Sequence, residues 1–178
     1  MTAAHGYHTY YDIIQAYDLT DKRLIPPKEP TYKPNSIMGF LSSHNDFKLF
    51  TFLLKTARVD MIADQDQFFT TLFVCNDETM KKQLGEDFFM KLDRNTATKL
   101  VNVHSLPLVI NKKSMLGRRV AVLDTKDDKS QITLTNNRGV LSLATCSQKY
   151  NIISDEIYKN NGLIYVLDGF FVPENFCF

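Results

Sequence analysis

Asn160-Asn161-Gly162-Leu163-Ile164-Tyr165-Val166-Leu167-Asp168, running on into Gly169-Phe170-Phe171-Val172-Pro173, is the stretch that decides the fold. Glycine takes positive φ without steric cost, so the Asn-Gly pair predicts a tight turn that feeds an apolar, β-branched run. In an extended chain Leu163, Tyr165 and Leu167 face one way and Ile164, Val166 and Asp168 the other. Neither row is polar enough to face water, which predicts a central strand covered on both sides. Asp168 ends the strand. No second carboxylate accompanies it, so capping nearby backbone amides is the better reading than acid catalysis.

Outward from this strand, the chain divides into helices first and strands afterwards. Phe47, Phe50 and Leu54 share a helical face, with Leu49 and Leu53 beside them and Asn45 or Asp46 as the expected N-cap. Val59 to Ala63 predicts a further short turn of helix, and Thr71 to Cys75 a strand with Asn76 or Asp77 capping the helix after it. Ala97, Leu100, Val101 and His104 again fall at helical spacing, with Asn95 or Thr96 as the start. Beyond Pro107, four short β-rich runs follow: Val120–Leu123, Ile132–Leu134, Val140–Leu143 and Tyr150–Ile153. Asp127-Asp128 and Asn136-Asn137-Arg138-Gly139 supply the turns. Segregated helices and strands predict an α+β domain rather than alternating βαβ units.

Several ordered segments resemble the fasciclin-type adhesion domain. Thr70-Thr71-Leu72-Phe73-Val74-Cys75-Asn76-Asp77-Glu78-Thr79-Met80 is similar to that family's first signature, a short strand opening into a helix. Leu100-Val101-Asn102-Val103-His104-Ser105-Leu106 resembles its central segment, a helix ending near a histidine. Asp155-Glu156-Ile157-Tyr158 stands where the family often carries an Asp-Ile pair used in binding, and the Asn161-Gly162 strand resembles its C-terminal signature. The likeness runs from about Ser36 to Phe176. Cys75 stands where the family usually has proline, and Glu156-Ile157 replaces Asp-Ile. The resemblance implies a wedge-shaped β-sandwich with helices packed along one edge, occupying residues 36–178. It also implies a structural signature made of Thr71, Phe73, His104, Asn161, Gly162, Asp168 and Pro173, in which the histidine joins two signature segments.

Residues 1–35 read as a separate N-terminal arm. Tyr10, Ile13, Ile14 and Tyr17 lie at i, i+3, i+4 and i+7, a short amphipathic helix that needs a surface to dock on. Pro26, Pro27, Pro30 and Pro34 then impose an extended strap. Sequence leaves open whether the arm folds onto its own domain or onto a neighbour. Its tyrosines Tyr7, Tyr10, Tyr11, Tyr17 and Tyr32 are candidate contact residues, because Tyr supplies large area at low entropy cost. Glu156 and Ile157 join them through the family resemblance, and the apolar end Phe176-Cys177-Phe178 is a further surface to pack on the arm or a partner.

The 178 residues suit one domain with an appendage, and 44% apolar residues permit a sizeable core. A net charge of +1 makes no case for nucleic acid or an anionic membrane. No apolar run approaches the roughly 20 residues of a membrane span. Met1 to Tyr11 lacks the pattern of a secretory signal, no Asn-x-Ser/Thr acceptor occurs, and Cys75, Cys146 and Cys177 are an odd, scattered set. These features predict a protein made in a reducing compartment.

No constellation for catalysis emerges. His5 and His8 lack the further ligands a zinc ion wants. His104 with Cys75 or Cys146 would be a nucleophilic pair only if they met in a cleft; a buried histidine with satisfied ring nitrogens is the expected alternative. Lys112, Lys113, Arg118 and Arg119 read as a solvated basic loop, with an acidic protein face as the sharper alternative. The expectation is therefore a non-enzymatic protein–protein interaction module without cofactor, metal or nucleic-acid partner. Its expected role is a structural linker in a larger assembly, as in a minor capsid protein of a large DNA virus, located inside the cell or in the virion. The alternative is a secreted or cell-surface adhesion or matrix-binding protein.

Overall fold

Ser36 opens the first helix, α1 (Ile37–Ser43): its Oγ accepts from the Gly39 amide at 2.9 Å and donates to Asp64 Oδ1 at 2.6 Å. The computed structural model describes residues 31–66, 68–117, 119–127, 130–145 and 147–172. Helix α2 (Lys48–Thr56) carries the predicted apolar face, burying Leu49, Phe50, Leu53 and Leu54. Its N-cap is neither Asn45 nor Asp46 but Phe47, which offers no side-chain acceptor. The Leu49 amide is instead satisfied at 2.8 Å by Asp77 Oδ1, reaching across from a later helix. Phe47 is drawn into the core, so the orphan donors of the first turn need an acceptor from outside.

Strand β1 (Thr70–Val74) follows and is wholly buried. Asn76 caps α3 (Asp77–Gln83) as expected, accepting from the Thr79 amide at 2.8 Å. Two more helices follow, α4 (Glu86–Met90) and α5 (Arg94–Val103). Helix α5 starts one turn earlier than the sequence suggests. Asp93, not Asn95 or Thr96, accepts from the Thr96 amide at 2.7 Å, a capping geometry the other two would need a later start to reach. Strand β2 (Ser105–Leu106) leads to α6 (Lys112–Leu116), capped by Asn111. Lys112 and Lys113 therefore open a helix instead of decorating a loop, because Asn111 provides the start signal. Val59 to Ala63 forms turns, closed by a 2.8 Å bond from the Ala63 amide to the Val59 carbonyl, rather than a full helix.

A four-stranded antiparallel meander comes next: β3 (Val120–Asp124), β4 (Gln131–Asn137), β5 (Val140–Ala144) and β6 (Lys149–Asn151). Arg138 and Gly139, both at positive φ, make the two-residue turn between β4 and β5. Finally β7 (Ile157–Lys159) turns through Asn160 and Asn161 into β8 (Gly162–Val166). The turn thus lies one residue before the Asn-Gly pair, and Gly162 is already strand.

The sheets are β2-β1-β8-β7 and β3-β4-β5-β6. Strand β8 runs parallel to β1, from Thr70 opposite Gly162 to Val74 opposite Val166. It is the central, doubly covered strand that its composition predicts, and all five residues are buried. The two sheets are joined where the chain leaves β8: Ile152 bridges Leu167, and the Ile153 amide donates to the Val166 carbonyl at 2.8 Å. The core between sheets and helices includes Phe50, Phe73, Phe89, Tyr165, Phe170 and Phe171, each essentially inaccessible. Each such side chain contributes about 1.5–3 kcal/mol relative to exposure. The architecture is the mixed α+β, two-sheet arrangement expected from the sequence.

Two substitutions test this packing. A Cβ on Gly162, whose φ is +155°, would sit 2.3 Å from the Thr70 carbonyl oxygen and 2.9 Å from Ile37 Cδ1. Gly162→Ala is expected to lower unfolding free energy by about 2–3 kcal/mol in denaturant titration, because β1 must move to admit a methyl. Thr51 Oγ1 on α2 is buried without a hydrogen-bond partner. Thr51→Val is expected to raise stability by about 1 kcal/mol in the same measurement, since it removes a desolvated hydroxyl at nearly constant shape.

Candidate functional site

Of the signature residues, Thr71, Phe73, His104, Asn161 and Gly162 lie on or against the β1–β8 pair. Thr71 Oγ1 donates to the Leu108 carbonyl at 2.8 Å and accepts from the Ile110 amide at 2.9 Å, tying the stretch before α6 to β1. Thr70 Oγ1 similarly donates to the Leu106 carbonyl at 2.7 Å. Phe73 stacks on Tyr165 across the parallel pair with centroids 5.9 Å apart, and the Tyr165 hydroxyl donates to the Ile110 carbonyl at 2.9 Å.

Asn161, with no exposed surface, acts as a latch. Its Oδ1 accepts from the Ile37 amide at 2.9 Å; its Nδ2 donates to the carbonyls of Ala63 at 2.7 Å and Gln65 at 2.9 Å. One amide side chain therefore joins the start of α1, the turn before β1 and the start of β8. Asn suits this position because it offers acceptor and donors on one planar group.

His104 closes α5 and is fully buried. Its Nε2 accepts from the Phe171 amide at 3.1 Å, so the proton sits on Nδ1, which donates to the Leu100 carbonyl at 2.7 Å. The ring stacks on Phe170 at 4.3 Å, and its own carbonyl accepts from the Phe73 amide at 2.8 Å. Burial pushes the imidazole down to about 4, the Leu100 bond opposing only weakly. This is a neutral clasp between α5, β1 and the segment after β8, with both ring nitrogens occupied.

Cys75, at the position where the resemblance leads one to expect proline, donates its thiol to the Gly169 carbonyl at 2.7 Å. Proline could not make that contact. Burial first, and the negative charge of Asp168 second, push the thiol far above its ordinary range. It stays protonated and is not a nucleophile; His104 is engaged elsewhere. Asp168 caps as expected, its Oδ1 accepting from the Asn151 amide at 2.8 Å.

Tyr32, counted with the arm from sequence, is buried and donates its hydroxyl to Asp60 Oδ2 at 2.8 Å. The Lys33 amide likewise donates to Asp64 at 2.8 Å, so the chain is already held to the domain ahead of Ser36. Glu156 accepts from the Tyr158 hydroxyl at the edge strand β7, and Ile157, half-buried, pairs with Ile164. Tyr158 itself is exposed. Tyr7, Tyr10, Tyr11, Tyr17 and Pro173 lie outside the described residues, as do His5, His8, Arg118, Cys146 and the Phe176–Phe178 end.

Sequence reasoning missed Gln83. Its Oε1 accepts from the Phe170 amide at 2.6 Å, and its Nε2 donates to the Tyr150 hydroxyl at 2.9 Å. A lone glutamine in a helix carries no signal that could have found it. It also missed a cleft of about 310 Å³ between α6 and the inner side of β3 and β4, lined by Leu108, Ile110, Met115, Ala121, Leu123 and Leu134. Lys112 at the start of α6 pairs with Asp155 at 3.5 Å, and Lys113 and Arg119 are exposed. Among the described residues no group of three or more His, Cys, Asp or Glu could hold a metal ion, and no helix is long and apolar enough to cross a membrane.

Comparison with known proteins follows from this geometry. The family model for the fasciclin domain matches residues 45–173. Among solved structures, the FAS1 domain pair of the insect cell-adhesion molecule fasciclin I superposes with a TM-score of 0.64 at 17% identity. That match covers 79% of this chain and 51% of the other, so the chain spans about half the length of that structure. No curated protein matches.

The clasp has a measurable acid signature. Unfolded histidine takes up a proton below about 6.5, while His104 resists until about 4. Its contribution is therefore complete above the unfolded value and lost as pH falls from there toward the folded one. Stability is expected to drop by on the order of 3 kcal/mol more in the parent than in His104→Gln across that window. Parallel pH-dependent denaturation curves for the two proteins would contradict the assignment.

Proposed function

The chain belongs to the fasciclin-domain family, and on that premise we propose that it is a non-enzymatic protein–protein interaction module serving as a structural linker in a larger assembly. The observation that carries this reading is where polarity and apolar surface fall. The side chains that looked most reactive, Cys75 and His104, are buried and consumed by structural bonds. The second sheet, by contrast, turns Val120, Val122 and Val140 outward on one face, each more than half exposed. Pairing of Val120 with Thr135, and of Thr135 with Ser142 two residues from Val140, puts all three on the same side. Exposed valines on one side of a sheet offer apolar surface that a partner could cover.

In the finer form of this reading the chain is a minor capsid protein of a large DNA virus, made in a reducing compartment, which the free buried thiol of Cys75 supports. The adhesive alternative rests on the resemblance to a cell-adhesion molecule. The arm is the linking element, with Tyr7, Tyr10, Tyr11 and Tyr17 as its contact residues and Glu156 and Ile157 as a second contact at β7. A truncation that tests this must stop before Tyr32, which the domain needs.

Deletion of residues 1–30 is expected to leave the folded domain intact by circular dichroism and to abolish its incorporation into the assembly that the full-length chain joins, measured by co-sedimentation. Normal incorporation of the truncated chain would refute the linker. Val122→Lys combined with Val140→Glu is expected to weaken partner capture by about tenfold or more, in line with loss of a contact-patch anchor, while leaving the melting temperature unchanged.

A further inference from the structure

The cleft under α6 combines three properties that bear on its occupant. Apart from Ser114 its walls are aliphatic: Met115 and Leu134 form a buried floor, Ala121 and Leu123 are partly buried, and Leu108 remains 49% exposed. One wall, β3, is an edge strand. The elements that bound the cleft also carry exposed cations, Lys113 within α6 and Arg119 immediately before β3. A segment suited to this site would present a narrow apolar stripe and bear negative charge.

Residues 9–18 of this chain have that chemistry. Tyr10, Ile13, Ile14 and Tyr17 make one helical stripe, and the segment carries Asp12 and Asp18 with no lysine or arginine. Reach is sufficient. Asp18 lies thirteen positions before Thr31, where the described domain begins, and thirteen steps at polyproline spacing would cover about 40 Å. A domain of this size has a radius of gyration of about 15 Å, so the strap can deliver the segment to either side of it. A tether of this kind also gives an effective concentration in the millimolar range, which favours the chain's own segment over one diffusing from another molecule.

We propose that the cleft between α6 and β3 is the docking site for residues 9–18 of the same chain, holding the arm against its own domain in the free protein. The Tyr10, Ile13, Ile14 and Tyr17 stripe fills the cleft, and Asp12 and Asp18 meet Lys113 and Arg119. Docking covers the edge of β3 as well as the aliphatic walls. A partner that competes for either surface would release the arm.

The test is amide hydrogen exchange on the full-length protein, on Ile13→Asp/Ile14→Asp and on Ala121→Trp, which fills the cleft itself. Both variants are expected to speed exchange in α6 and β3 by about tenfold or more while β1 and β8 keep their protection, the latter showing that the fold is intact. Equal exchange of α6 and β3 in the parent and in Ile13→Asp/Ile14→Asp overturns the proposal. So does protection that disappears on dilution, which would assign the cleft to the arm of another copy. Neither outcome decides the linker reading, which stands or falls on incorporation of the chain lacking residues 1–30.

Discussion

The rest of the structure depends on the parallel pairing of β1 with β8, strands separated by nearly ninety residues. A parallel pair cannot be closed by a hairpin, so everything between the two strands has to leave and return. The helices, the connection through α6 and the whole meander are what the chain does on that excursion. Because both strands are buried on both faces, every polar group near them must find a partner inside the protein. This explains the character of the signature: Thr70, Thr71, His104 and Asn161 are polar, buried and each bonded to backbone.

The same requirement removes chemistry from the centre of the molecule. His104 would be a serviceable acid–base group at its ordinary ionisation, but burial holds it neutral and two backbone groups fix its tautomer. Cys75 would be a thiol of interest at a helix opening, yet its proton is committed to the Gly169 carbonyl. Gln83, His104 and Cys75 all bind the segment after β8, from Gly169 to Phe171. That segment is short and irregular, so it cannot pair its own backbone groups: Gln83 and His104 accept from the Phe170 and Phe171 amides, and Cys75 donates to the Gly169 carbonyl. What the surface presents instead is the outward valines of the second sheet, the edge strand β7 with Tyr158, and the cleft beneath α6.

Much of this was legible in the sequence, and the exceptions share a cause. Alternation and β-branching marked β1, β3, β5 and β8 to within a residue or two and found the middle of β4, which runs three residues further, and His104 makes two backbone bonds through its ring. The cap at Asn76 was legible; at α5 several polar residues compete locally and the structure uses Asp93, and at α2 the acceptor comes from elsewhere in the chain. Helix α2 is capped by Asp77, far along the chain, and no rule of local spacing points to it. The basic stretch at Lys112 read as a loop because its helix is one short turn, held by Asn111 and by packing on β4. Tyr32 looked like part of a free strap because the proline spacing dominates its neighbourhood; its partner Asp60 lies 28 residues on.

What the sequence alone determined is the helix-rich first half and strand-rich second half, the buried C-terminal strand and the kinship those motifs carry. These follow from periodicity and turn chemistry, which act between residues close in the chain. What only the tertiary structure decided is which strand β8 lies beside, which buried polar groups satisfy one another, and that a cleft opens between α6 and the meander. Those outcomes depend on contacts between distant segments, whose geometry is set by how the whole core closes and not by any local pattern.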